Sequence, residues 1–370
     1  MRFFVLFLVV ALVAYGSLYP FSFSHADPES WRTLFSSFRL FTSRGDVLGN
    51  ILLFIPLGYA GMLALSPRTS MKAGACFVAG AGFMLAAALQ FAQLYLPLRD
   101  AVLSDVVWNA LGLAFGIAAA FLLPLAANLD RRQRSLPVVP LALLALWFAH
   151  ELAPFLPTLD WQKFKDSLKP LLLNPQFKLA NAVFHFACAL AAGRALGEIV
   201  GERRSLRWLV ACASLVTAGK IVIISQAVTL SFAIGLLAAC AIWVELARSS
   251  RRDAFVALAL VLAITLMALD PFMPRWPPAQ LNLIPFAGQL EGVMLVNLRS
   301  LLEKLFLYTA LLWLVTGIGK SLWASALALA VFVLLLEGAQ TFVAGRVADA
   351  TEAVWVLVTA AVLRAGSTRR

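Results

Sequence analysis

Charge is what this sequence has least of. Only 13% of its 370 residues are Asp, Glu, Lys or Arg, against roughly 25% in soluble domains, while 62% are hydrophobic. A water-soluble fold is excluded on that ground. Histidine is almost absent, with His25, His150 and His185 as the full set of three. No HExxH, no Ser/His/Asp order and no paired His/Asp spacing appears, so no metal site, cofactor motif or usual nucleophile is expected. The four cysteines, Cys76, Cys188, Cys212 and Cys240, lie singly in apolar runs without a CxxC. They read as small buried hydrophobes and carry no disulfide framework. No small-x-small cleavage site follows the apolar N-terminus, and Tyr19-Pro20-Phe21 ends that run, which reads as a retained first span.

What the chain does have is long apolar runs. A helix of about 20 such residues crosses a hydrocarbon core. Twelve spans are expected, at about 3–20, 46–65, 74–96, 104–127, 137–156, 177–197, 207–225, 228–247, 254–271, 302–319, 321–343 and 351–364. The last is the shortest. The net charge of +11 does not point to nucleic acid, because the basic residues sit in short loops such as Arg131-Arg132-Gln133-Arg134 and Arg248 to Arg252. Cationic loops stay in the cytoplasm. Taking the N-terminus and every second loop as one side gathers 17 of the 30 basic residues there with five acids. Both termini are therefore expected in the cytoplasm.

The spans fall into three groups of four, over 1–127, 137–247 and 254–364. Each group opens with a helix that ends in a similar tag: Leu18-Tyr-Pro-Phe21, Leu152-Ala-Pro-Phe155 and Leu269-Asp-Pro-Phe272. The expected fold is all-α, a polytopic membrane protein built as three four-helix repeats of parallel topology, since an even-numbered unit returns the chain to its starting side. A longer outer loop follows each tag. Trp31, Leu34, Phe35, Phe38 and Phe41 recur at helical spacing in the first, and Trp161, Phe164, Leu168 and Leu171 in the second. Both read as amphipathic helices lying in the interface.

Polar residues break the apolar pattern in a repeated way. Asp46, Asn50, Phe54 and Gly58 form one stripe along the second span. Gln90 and Gln93 end the third, Arg99 lies in the loop after it, and Asp105 and Asn109 open the fourth. Gly112-x-x-x-Gly116 follows on the same face, a spacing that lets another backbone come close. Glu337, Gln340, Arg346 and Glu352 repeat Gln90, Gln93, Arg99 and Asp105, each 247 positions on. Glu303 is expected to start its span as Asp46 does. In the middle group, alignment puts Ser225 at the place of Arg99 and Ser231 at that of Asp105, and Asn181 echoes Asn50. That group reads as a structural spacer. Lys220 is expected to snorkel outward.

The motif Asp-x3-Asn-x3-Phe-x-Pro-x-Gly, then Gln-x2-Gln, then Arg-x5-Asp-x3-Asn-x2-Gly, resembles the VanZ-like family of bacterial membrane proteins. The resemblance is good over about 1–127, fair over about 255–364 and poor between. It implies an envelope protein linked to low-level resistance to teicoplanin-type glycopeptides, with no settled biochemical activity. Gln90 stands where the family more commonly has glutamate.

The leading functional expectation is a non-enzymatic protein whose outer-face site of Asp46, Asn50, Gln90, Gln93, Arg99, Asp105 and Asn109, with Glu303, Glu337, Gln340, Arg346 and Glu352 in the third group, contacts a lipid-linked precursor or glycan. The arginines would meet phosphate or carboxylate. A second expectation is an enzyme acting on a phospholipid or polyprenyl-linked substrate, with Asp105 or Glu352 as general base. A third is a transporter, ranked last because no span shows a charge cluster in its middle. Against all three stands a scaffold in which these residues only bond helix to helix, at about 0.6 kcal/mol per bond in membranes.

Overall fold

Hydrocarbon offers no hydrogen bonds, so an apolar chain satisfies its backbone inside helices. The structure, a computed structural model, describes residues 2–19, 21–25, 44–65, 70–96, 101–129, 137–158, 160–286 and 294–367. Among the described residues there are thirteen helices and no strand longer than an isolated bridge. They are α1 (Arg2–Leu18), α2 (Arg44–Ala64), α3 (Met71–Gln93), α4 (Leu103–Leu129), α5 (Val138–Leu152), α6 (Trp161–Leu172), α7 (Leu179–Val200), α8 (Glu202–Val222), α9 (Leu230–Leu246), α10 (Arg252–Leu269), α11 (Met294–Gly317), α12 (Leu322–Gln340) and α13 (Thr351–Ser367). Twelve fall on the expected runs. The other, α6, is the amphipathic helix expected from Trp161 to Leu171. Its counterpart over 31–41 lies outside the described residues.

By length and composition α3, α4, α7, α8, α10 and α12 can each cross a membrane, and α1, α2, α5 and α9 hold shorter apolar stretches. The protein is a multi-pass helical membrane protein. The helix at the end of the chain, α13, is longer than the expected 351–364, reaching Ser367. Helix α2 continues through Pro56. Cys76 is exposed, contrary to the expected burial, and Cys188 is buried. An apolar surround replaces the core for a side chain that faces lipid.

The chain divides into two compact units. The first is built on Met1–Ser135 and contains α1 to α4. Its tightest contact is between α2 and α4, which run in the same direction. A Cβ on Gly112 would stand 2.1 Å from the Ile51 carbonyl oxygen, and one on Gly116 would stand 2.1 Å from that of Ile55. Only hydrogen fits there, as the glycine spacing suggested. Phe54, Leu57, Leu89 and Leu113 fill the space around this seam.

The second unit, on Leu136–Gly288 and Leu295–Gly366, holds α5 to α13. Helix α7 is its axis and packs against α5, α8, α9 and α10. Its stretch from Ala187 to Ala192, four alanines with Cys188 and Leu190, is fully buried. That run lets neighbours close in, and the large side chains come from them: Trp147, Trp243, Leu209 and Leu260 are all buried against it.

The three tags end their helices in the same way. Phe21, Phe155 and Phe272 take φ of 62°, 60° and 59°, in the left-handed region, and their amides donate to Leu18, Leu152 and Leu269. The chain then pairs briefly with the end of a later helix in the same group. Ser24 N donates to Tyr95 O (2.8 Å), Thr158 N to Val222 O (3.0 Å) and Arg275 N to Phe342 O (2.7 Å). In the second and third groups a return bond closes the clasp, from Ile224 N to Leu156 O and from Ala344 N to Met273 O.

Gly116→Ala should lower stability by about 1–3 kcal/mol, because backbone, not a mobile side chain, is what the new methyl meets. Gly80→Ala, where a Cβ meets nothing within 4 Å, should be neutral or mildly stabilising. Thermal unfolding of the two variants in detergent checks the pair.

Candidate functional site

In the first unit, α3 ends with both glutamines turned inward. Gln90 and Gln93 are 4% and 9% exposed. Gln90 Oε1 accepts from the Val102 amide (3.1 Å), and its Nε2 donates to Asp105 Oδ2 (3.4 Å). Gln93 Nε2 donates to the Ser17 carbonyl at the end of α1 (2.8 Å). One helix end is thus stitched to two others. Asp105 lies in the first turn of α4, where the helix dipole favours its charge. The Gly112–Ile51 and Gly116–Ile55 register places Asp105 level with the start of α2, the turn that carries Asp46. Asn50 lies in that helix, half-buried. Asn109 is buried, and its Oδ1 has no partner among the described residues. Arg99 and Asp100 lie outside the described residues, as does the side chain of Asp46.

The third group repeats this stitching. Glu337 Oε2 accepts from the Asp349 amide (3.0 Å), 247 positions after Val102, and its Oε1 accepts from Gln340 Nε2 (3.1 Å). Glutamate and glutamine do the same work here, since each supplies an oxygen to one backbone amide. Arg346 Nε donates to the Asp270 carbonyl (2.6 Å), and its Nη2 to that of Met267. Glu352 accepts from Lys304 Nζ and Tyr308 Oη. Lys304 and Tyr308 carried no signal in the sequence pattern.

Glu303 does not repeat Asp46. Helix α11 begins at Met294, so Glu303 lies in its third turn rather than at its start. Asn297, not Glu303, keeps the 247-residue spacing, from Asn50. An apolar run that starts with Leu301 hid the earlier polar turn of the helix.

Residues 3–124 match a family model described as VanZ/LLP1. The chain carries a VanZ-like domain. The match covers α1 to α3 and most of α4, and so contains the stitched ends of Gln90, Gln93 and Asp105. No curated protein matches the chain, and no solved structure does.

Beyond the VanZ-like domain, the middle group holds what the sequence reading missed. Lys220 does not snorkel. It is 2% exposed, and its Nζ lies 2.7 Å from Glu151 Oε2, itself in a residue 1% exposed. Lys220 also reaches the Glu151 carbonyl and Gln226 Oε1, each at 3.3 Å. His185 Nδ1 lies 2.9 Å from Glu151 Oε1. This is a buried charge cluster, shared by α5, α7 and α8, in a group expected to be a spacer. The physical reason is desolvation: a buried ammonium costs several kcal/mol and is held by a carboxylate when one is in reach. Glu151 was overlooked because it follows an apolar run and lies 69 residues from Lys220.

The middle group also corrects its own alignment by one residue. Gln226 Nε2 donates to the Ala153 carbonyl as Arg346 does to that of Asp270, and each acceptor immediately precedes the proline of its tag. Gln226 follows Ser225 (φ 62°) as Arg346 follows Gly345 (φ 79°). Ser231 Oγ accepts from the Lys178 amide (2.8 Å) as Thr351 Oγ1 does from that of Phe286 (2.7 Å). Gln226 therefore stands at the place of Arg346, and Ser231 at that of Thr351. Helix α6 seals this end: Lys163 Nζ donates to the Gln226 carbonyl (2.6 Å), and Ser167 Oγ to that of Ile221 (3.0 Å). Burial there lowers the Lys163 pKa from its ordinary value, with Asp166 pulling it back up.

Gln226→Leu and Arg346→Met should each destabilise the second unit by about 1–3 kcal/mol, because a carbonyl near a tag loses its donor. Hydrogen exchange read at the amides of Phe155 and Phe272 should quicken in the matching variant only.

Proposed function

We propose that this chain is an envelope protein of the bacterial cytoplasmic membrane, with twelve spans in three parallel four-helix groups and both termini in the cytoplasm. Its outer helix ends contact a lipid-linked or cell-wall component without turning it over. The recurrent tags and clasps support the three-group reading, and the VanZ-like domain supports the envelope reading. The dense cationic loops support the orientation.

One observation carries the site. Gln90, Gln93, Gln340 and Arg346 give hydrogen bonds to backbone or to side chains of their own group, which makes them the frame. Glu352 and Lys304 are instead held by each other and remain 17% and 22% exposed. An anionic headgroup can compete with Glu352 for Lys304, and charge-assisted bonds of that kind are the strong ones. Asp105 occupies the place of Glu352 in the first group. Asp46, Asn50, Asn109, Arg99, Glu303 and Glu337 complete the proposed surroundings of the two sites.

The expected consequence is protection of a sensitive host against teicoplanin-type glycopeptides. Lys304→Gln and Asp105→Asn should each remove most of that protection at unchanged protein level in the membrane. Inhibitory concentrations measured beside immunoblots decide the matter. Full protection in both variants would contradict a site at these positions, and a fall in protein level would assign them to the scaffold.

A further inference from the structure

The middle group holds a cavity that a spacer has no use for. It lies at the α6 end of the second unit and has a volume of about 570 Å³. Small-molecule sites run to roughly 300–1,000 Å³, so the space suits a headgroup rather than a single water. Three elements enclose it. The end of α6 gives Lys169 and Leu173, the start of α7 gives Lys178 and Asn181, and the start of α9 gives Thr229 and Ser231. Among the described residues that line it there are two lysines and no acid.

The donors on this lining are not used up by the fold. Ser231 is 2% exposed, yet it lines the cavity. Its Oγ accepts from the Lys178 amide (2.8 Å), and its hydroxyl hydrogen has no acceptor among the described residues. A buried hydroxyl needs an acceptor for that hydrogen, and the cavity is where one can stand. The Lys178 side chain is exposed and makes no ion pair among the described residues. Lys169 is paired with Asp166 at 2.6 Å, but both are about half exposed. Such a surface pair is weak and yields to a second anion. The acid found in the first turn of α4 and of α13 has no counterpart in α9. With Ser231 at the place of Thr351, Phe232 stands where Glu352 does. No side chain caps α7, so its dipole adds to the same positive field. Beside the cavity in the chain, Leu172, Leu173, Phe177 and Leu179 are each more than half exposed. A polar hollow with an apolar rim on an amphipathic helix matches a lipid, headgroup inward and acyl chains outward.

We infer that this cavity binds the phosphate ester of an anionic lipid headgroup, taken from the leaflet at the α6 end. Lys178 and Lys169 donate to the phosphate oxygens from two sides, and Ser231 donates from the floor; bonds to an ionised acceptor are the strong ones. The acyl chains lie along Leu173 and the exposed apolar side chains beside it. A soluble phosphate ester offers the same oxygens but leaves that rim uncovered. The middle group is then a place where the protein holds a bilayer lipid. The inference does not rest on Lys304, Glu352 or Asp105, so it stands or falls separately from the function proposed above.

Native mass spectrometry of the full chain in dodecyl maltoside tests this. The protein is titrated with dioleoyl phosphatidylglycerol and, separately, with dioleoyl phosphatidylcholine. Phosphatidylglycerol should bind first and more tightly. Lys178→Gln and Lys169→Gln should each weaken its binding by about tenfold, the loss of one charge-assisted bond. Lys165→Gln is the control, because Lys165 lies on the same helix over the Trp161 ring and does not line the cavity. It should bind as the unaltered chain does. Thermal unfolding without lipid should be alike in all three variants, since each lysine side chain leaves the packing untouched. Undiminished binding in both cavity variants, or an equal loss in Lys165→Gln, overturns the site. Displacement of phosphatidylglycerol by millimolar sn-glycerol 3-phosphate overturns the lipid as occupant and assigns the cavity to a soluble phosphate ester.

Discussion

Everything in this fold answers to one constraint: lipid supplies neither donors nor acceptors. Backbone groups freed at a helix end must find partners within the protein. The chain solves this with a recurrent device. A proline tag stops a helix, a phenylalanine in the left-handed region turns the chain, and a short clasp hands its amides to the end of a later helix in the group. Side chains complete the seal. Gln93 reaches Ser17, Gln226 reaches Ala153, and Arg346 reaches Met267 and Asp270. Two glutamines and an arginine thus serve one need, which is to satisfy carbonyls at the exit of the helices that the tags end.

That need explains why polar residues recur where they do, and it separates frame from function. Residues whose donors are taken by backbone act first as a frame. Glu352 with Lys304, and Glu151 with Lys220 and His185, are held by side chains instead. Side-chain partners can be exchanged without unravelling a helix end. The second unit concentrates both kinds around α7, whose alanine-rich middle draws its neighbours close enough for such contacts to form.

Much of this was legible in the sequence. Hydropathy marks the helices, the tags mark three helix ends of like geometry, and the 247-residue spacing from Gln90 to Glu337 marks equivalent turns. The glycine pair Gly112 and Gly116 announced the close approach of α2 that the structure contains. What stayed hidden has physical causes. Helical periodicity locates a run but slips by a residue within it, so Ser225 was aligned where Gln226 belongs. A polar first turn before an apolar run blurs a helix start, so Glu303 was read as the start of a helix that already begins at Met294. Composition cannot tell a lysine that reaches for water from one that reaches for an acid. Lys220 sits close enough to a helix end for either, and its partner is on another helix. Burial and pairing are properties of packing, which a single sequence does not print.

The central claim is that Lys220 and Glu151 are buried against each other, so that neither tolerates the loss of its partner. A double-mutant cycle of Lys220→Met and Glu151→Gln, read by reversible unfolding in mixed micelles, measures that coupling. Each single variant should lose about 3–5 kcal/mol, because it leaves a charge or its acceptor stranded. The double variant should recover most of that loss and show a large favourable coupling energy. Single losses that simply add, with no coupling, would mean that the two side chains face water or lipid independently, and the account of the middle group would be wrong.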